Sequence, residues 1–272
     1  MSLDAAQTSD PRTPQRLRHE TRLRLLTVSS VTDITPLMRR IRLTGDMEGF
    51  VSAGHADHIK AFFFPAGVEP LLPPMGPNGA EFAPGTRPEM RDYTPRYWNT
   101  VEGWIELDFV LHGDGPASGW AAKAAVGHTL VIGGPRGSMV VPTTYDWYLL
   151  VGDETALPAI GRRLEELPEG APVVAVIEVA SPQEEQTFQT KADLDLIYVH
   201  RNGAAPGSTT LLLDTVKSLN LPKGDAYAYV AGESEMSKAL KTHLIEDRKF
   251  NPEWIKTAGY WLRGTSDAHE PH

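Results

Sequence analysis

The sequence predicts two domains, a strand-rich N-terminal half and a C-terminal α/β half built on a parallel sheet. Three observations carry this. Before Pro142 the chain reads as short strands separated by Gly- and Pro-rich turns, with the cleanest alternation at Trp104–His112. After Pro142 come continuous apolar runs, such as Trp147–Val151 and Val173–Val179, alternating with segments whose apolar residues recur at helical spacing. Such strands are buried on both faces, as in a parallel sheet covered by helices. Finally, 272 residues are long for one core and comfortable for two. The boundary falls near Thr143, giving domains at 21–143 and 144–264. A polar tail, 1–20, is expected to be disordered. A loose tail, 265–272, carries His269 and His272, too isolated for a metal site.

In chain order, Leu23–Val31 and Met38–Leu43 are strand-like, the second with Arg40 and Arg42 opposed to Ile41 and Leu43. His58–Phe64 is a third strand. Lys60 interrupts it and by itself reads as a strand-edge guard. Ala66–Met90 is too dense in Pro and Gly for a central strand or helix, and reads as a long loop leading to Arg91-Asp92-Tyr93-Thr94-Pro95-Arg96. On a strand Arg91 and Tyr93 share a face. Tyr93 offers an apolar plate for a planar ring, Thr94 a hydrogen-bonding group for its edge, and Arg91 a planar fork for phosphate oxygens. Those are the needs of a flavin. The same six residues also suit an ordinary strand with surface arginines.

Trp104–His112 places Ile105, Leu107, Phe109 and Leu111 on one face and Glu106, Asp108, Val110 and His112 on the other. Gly113-Asp114-Gly115-Pro116-Ala117-Ser118 then feeds a helical stretch, with Ser118 at or near its N-cap. Free N–H groups at a helix start form an anion site, and pyrophosphate is the natural guest. Following the Arg91–Arg96 strand, this turn supplies the second half of a flavin dinucleotide site. His128–Ile132 resumes strand, and Gly133–Ser138 is a tight turn presenting Arg136.

In the C-terminal half, Gly152-Asp153-Glu154-Thr155 ends the first strand and Gly232-Glu233-Ser234 a later one. Ligands of open α/β sheets bind at the carboxyl ends of strands, so these turns support a nicotinamide crevice. The first strand is not followed by G-x-G-x-x-G, which argues against a conventional dinucleotide clamp.

The net charge of −9 argues against a nucleic-acid or anionic-membrane partner, and requires a local basic cluster for any anionic ligand. With no cysteine there is no disulfide, thiol nucleophile or Cys-ligated cluster, so redox chemistry has to come from a bound cofactor. No apolar run approaches the ~20 residues of a membrane span, and the N-terminus lacks a signal peptide's apolar core. A cytoplasmic monomer is expected.

Taken in order, Ile34–Ile41, His58-Ile59-Lys60, Arg91–Arg96, Asp108–Ser118, Gly133–Ser138, Gly152–Pro158, Val230–Glu233 and Gly259-Tyr260-Trp261 resemble the siderophore-interacting proteins, flavin-dependent ferric-siderophore reductases of the ferredoxin-NADP reductase superfamily. The resemblance spans residues 20–264. It implies an FAD-binding antiparallel β-barrel followed by an NAD(P)H-binding α/β domain. It also implies that Arg91, Tyr93 and Thr94 hold the flavin's ring and phosphates. Asp108, Val110 and His112 would line the ribityl and adenylate path, and Ala117 and Ser118 would meet the pyrophosphate. Thr155 would approach from the second domain, and Trp261 would sit near the flavin or nicotinamide. Lys60 and Arg136 match a basic pocket for the ferric siderophore, with Lys256 as the third cation and Arg263 as its rival. Electrons would pass from NADH or NADPH, or from a ferredoxin, through FAD to Fe(III), with no general acid or base. The alternatives are a general NAD(P)H- or ferredoxin-linked flavin oxidoreductase and a non-catalytic siderophore-binding module.

Overall fold

The computed structural model describes residues 10–76, 79–113 and 115–265; His269 and His272 therefore lie outside the described residues. The first domain holds β1 (Gln15–Arg18), β2 (Leu23–Thr35), β3 (Met38–Thr44), β4 (Ile59–Phe63), the two-residue strands β5 (Met75–Gly76) and β6 (Gly79–Ala80), β7 (Glu89–Tyr93), β8 (Pro95–Asn99), β9 (Trp104–Val110), α1 (Pro116–Lys123), β10 (Thr129–Gly133) and β11 (Gly137–Val140). The second holds β12 (Trp147–Asp153), α2 (Leu157–Glu166), β13 (Pro172–Val179), β14 (Asp193–His200), α3 (Leu211–Ser218), β15 (Ala226–Glu233), α4 (Ser234–Glu246) and β16 (Ile255–Trp261).

Seven strands of the first domain form one antiparallel sheet in the order β7-β4-β10-β2-β3-β9-β8. It curls around Leu26, Ile41, Ile59, Leu107 and Phe109, all fully buried. Register shifts between β2 and β3 mark where the long second strand bends. This is the expected barrel-like sheet, left open between β7 and β8. Only Thr94 joins those two strands, too little chain for the hairpin turn that would pair them.

The second domain is a five-stranded parallel sheet ordered β14-β13-β12-β15-β16. Every residue of central β12 is buried, as its unbroken apolar run predicts. Leu212 and Val216 of α3 and Leu240 and Leu244 of α4 cover one face. Leu157, Ile160 and Leu164 of α2 cover the other, together with Met38 and Val141 from the first domain. The first domain thus completes the second domain's core.

Polar groups fix the junction. Arg162, 3 % exposed, donates to Ser52 Oγ at 2.9 Å and Ser52 O at 3.2 Å, with its guanidinium 4.7 Å from the Trp98 ring. Arg96 pairs with Glu165 through two bonds of 2.8 and 2.5 Å, and Thr35 donates to Glu184. These buried charges are matched, which is the condition for tolerating them.

The stretch expected to be a disordered tail is ordered from residue 10. β1 pairs antiparallel with β11, from Gln15 opposite Val140 to Arg18 opposite Gly137. Upstream, Arg12 reaches Asp225 at 3.3 Å and Asp146 at 3.9 Å and lies 5.6 Å from the Trp254 ring. Local composition reported prolines and polar residues, whereas order comes from pairing with a distant strand. Among the described residues no helix is long and apolar enough to cross a membrane.

Candidate functional site

The site grows from the open seam at Thr94. Register sets Ile59 opposite Tyr93, Lys60 opposite Asp92 and Ala61 opposite Arg91. Since Ile59 and Ala61 are buried in the barrel core, Arg91 and Tyr93 lie on the core face and Lys60 and Asp92 on the other. The half-buried Tyr93 ring packs 4.3 Å from Phe109 and 6.5 Å from Phe63, a firmly backed aromatic plate at the barrel rim. Burial pushes its phenol up, so it stays neutral. Arg91 donates to Met90 O at 2.9 Å and Glu89 Oε2 at 3.1 Å. Glu89 is well exposed, and such pairs are weak enough to yield to a phosphate. Thr94 is buried, and its hydroxyl lies close enough to the Tyr260 phenol of the second domain to influence its ionisation.

Asp108 is buried. Its carboxylate is engaged at 2.7 Å by both Nε and Nη2 of Arg40, its cross-strand partner. A buried carboxylate next to an arginine takes that partner first. Val110 packs on the second domain's core, while His112 is exposed at the turn. Gly113 and Gly115 hold positive φ of 84° and 85°, and a Cβ on Gly113 would meet nothing within 4 Å. α1 therefore begins at Pro116 with Gly115 as an N-cap that offers no side chain. Ser118 is not the cap; it is the third helical residue, and its hydroxyl accepts the His112 N–H at 3.0 Å. Ala117 is buried in the barrel core. The helix start thus keeps uncapped N–H groups beside an open glycine turn, which fits a pyrophosphate.

Across the seam, Asp153 ends β12. It accepts from Thr155 N at 2.9 Å, from the Thr155 hydroxyl, from Glu233 N at 2.9 Å and from Trp261 Nε1 at 2.9 Å. Burial and the neighbouring Glu154 raise its carboxyl to about 6, against the pull of these donors. Gly232, with φ of 136°, is required here, because a Cβ would lie 2.5 Å from Asp153 Oδ2. Thr155 and Trp261 are thereby locked to one carboxylate, and Tyr260 bonds Tyr229 at 2.5 Å. Behind them Arg201 is held by Glu154 at 2.5 and 2.7 Å and by Glu178 at 3.3 Å.

The expected cations divide. Lys60 forms an ion pair with Asp92 at 2.8 Å. Arg136 is exposed, with no ion pair among the described residues, on the turn that follows Gly133, the partner of Lys60 in register. Lys256 is half-buried on edge strand β16; burial, then the charges of Arg16 and Lys241, lower its pKa. Arg263 lies elsewhere, its backbone N–H on Glu233 and its guanidinium on Gly207 O.

Residues 27–139 match the family described as siderophore-interacting FAD-binding domain, and residues 145–264 the family described as siderophore-interacting protein. The chain belongs to the siderophore-interacting protein family. Among its relatives, the NADPH-dependent ferric-chelate reductase of Escherichia coli K12 is 34% identical over 92% of this chain and 97% of its own length. The ferric vibriobactin reductase of Vibrio cholerae is 31% identical over 84% and 85%. A siderophore utilization protein from T. fusca superposes with a TM-score of 0.87 at 38% identity, covering 94% of this chain and 98% of that one.

Within this family member, the seam contains residues that the sequence did not single out. Tyr260 was visible only as part of Gly259-Tyr260-Trp261, with nothing to tie it to Thr94. Asp153 was visible as a turn residue, but its four donors come from three separate stretches. Arg40 could have been paired with Asp108 from the alternation of both strands, had their register been known.

Proposed function

We propose that this protein is an FAD-dependent ferric-siderophore reductase that takes electrons from NADPH or NADH and releases ferrous iron. The observation that carries this is the seam itself. An aromatic plate, Tyr93, and an uncapped helix start at Gly115 lie on one domain, and Thr94 meets Tyr260 of the other. In this reading Tyr93 backs the flavin ring, Thr94 bonds its edge, and Arg91 with the first N–H groups of α1, including that of Ala117, holds the phosphates. His112 and the Asp108–Val110 backbone border the path between ring and phosphates. Ser118 fixes the exit of β9, while Thr155 and Trp261, held by Asp153, form the second domain's wall towards the nicotinamide.

A bound flavin supplies the conversion of a two-electron hydride into the single electrons that iron accepts. Lys60, Arg136 and Lys256 attract the ferric chelate to a protein whose overall charge would repel it. Reduction lowers the metal's charge, so hard oxygen donors hold it less tightly and it leaves. The working unit in this reading is a monomer of two domains, 21–143 and 144–264. A nicotinamide donor suits the cytoplasm.

The test is an anaerobic spectrum of the FAD-loaded protein with NADPH or NADH, then a ferric siderophore and a ferrous-iron trap. The expected result is bleaching by the nucleotide and reoxidation as trapped ferrous iron appears. Bleaching without response to the chelate would replace this reading with a general flavin oxidoreductase. Bleaching only by a reduced ferredoxin would change the donor. A chain that takes up no FAD would be a binding module.

A further inference from the structure

We propose that strand β1 is a substrate-selecting arm, in which Arg16 and Arg18 extend the cationic surface of Arg136 and Lys256 and favour ferric chelates of net negative charge. The inference rests on the ferric-siderophore reading above and adds to it the charge class of the substrate.

Three observations place the arm. First, the β1–β11 ladder sets Arg18 opposite Gly137, the neighbour of Arg136, and the backbone N–H of His19 donates to Arg136 O at 3.0 Å. Second, alternation puts Arg16 and Arg18 on one face of β1 with Leu17 on the other. Both arginines are exposed, and neither has an ion pair among the described residues. Third, Arg16 and Lys241 are near enough to Lys256 for their charges to disfavour its ammonium form. Arg16 and Lys241 thus act on Lys256, and Arg18 lies beside the turn that carries Arg136, in a chain of net charge −9 that could have supplied carboxylates. Among the described residues none of Arg16, Arg18, Arg136 and Lys256 has an ion-pair partner, and a polyanion would supply one.

The arm is also rigid, as a recognition element has to be. Its upstream end is held by Arg12 on Asp225 and by the Tyr145 hydroxyl donating to Arg12 O. Its downstream end is held by a relay: Ser138 Oγ donates to buried Asp57, so His19 Nε2 is the donor to Ser138 Oγ at 2.7 Å. The arginines are therefore carried on a fixed backbone rather than on a waving tail.

Fe(III) with three catecholate dianions carries net negative charge, whereas with three hydroxamate monoanions it is neutral. The arm should discriminate between them. The experiment titrates FAD-loaded protein with redox-inert Ga(III) complexes of a hexadentate tris-catecholate and a linear tris-hydroxamate, read by tryptophan fluorescence. Reduction of the matching Fe(III) complexes is followed in parallel.

For Arg16→Gln/Arg18→Gln, Kd and KM for the tris-catecholate should rise about threefold to tenfold, and this difference should shrink at high salt. Values for the tris-hydroxamate, FAD content and kcat should stay unchanged. Arg16→Lys/Arg18→Lys should restore most of the lost affinity. An unchanged Kd for the tris-catecholate overturns the arm, as does an equal loss for both chelates, which would make β1 merely structural. Charge-dependent Ga(III) binding without turnover of Fe(III) would uphold the arm and defeat the reductase reading instead.

Discussion

Arg91 shows how a residue's present partner forecasts its response to a ligand. Its guanidinium holds the exposed carboxylate of Glu89, and an exposed pair of that kind yields to phosphate at little cost. Arg91→Ala should weaken FAD binding roughly tenfold to hundredfold, measured by flavin released on gel filtration, without lowering the melting temperature of the apoprotein. Lys60 poses the converse case. Asp92 neutralises it at 2.8 Å, so Asp92→Asn should free its charge and lower KM for an anionic ferric chelate severalfold. Asp153 gives a pH signature. Its carboxyl titrates at about 6, above its ordinary 3.8, so the folded state prefers the neutral form. That contribution is fully present below the ordinary carboxylate range and is lost as pH rises through about 6. Since Asn does not titrate, the melting temperature of the wild type relative to Asp153→Asn should fall by a few degrees between pH 4 and pH 7.

Among the elements, those whose signal is local were legible in the sequence. Trp104–His112 alternates, and β9 is a strand with Ile105, Leu107 and Phe109 wholly buried. The apolar runs of β12 and β13 are buried central strands. What was lost is what depends on a distant partner. Gln15–Arg18 looks like any polar segment until β11 is beside it, and Ser118 looks like a cap until His112 claims its hydroxyl. The same holds for α2, whose apolar spacing predicted a helix but not that Arg162 would carry the junction. Removing its side chain takes the donor from Ser52 O and the partner from Glu166, so Arg162→Ala should cost about 3 kcal/mol in urea unfolding and separate the melting of the two domains.

At the scale of the molecule, the candidate site is a seam rather than a cavity, and this explains why its composition was readable but its geometry was not. Tyr93, Thr94 and the Gly113–Ser118 turn lie on one unit, and Thr155, Tyr260 and Trp261 on the other. A linear sequence names such residues without saying which of them touch. Arg12 adds a mechanical consequence. It grips Asp146, Asp225 and Trp254 of the second domain, while β1, a few residues on, is woven into β11 of the first. The segment ties the two domains together across the seam and opposes their swinging apart like jaws. On the proposed function, donor and acceptor would then use separate doors: the nucleotide from the carboxyl edge of the parallel sheet, the chelate from the side of the arginine-bearing turn. Visits taken in turn would give parallel double-reciprocal plots when both concentrations are varied, and intersecting lines would show that both guests must be seated together.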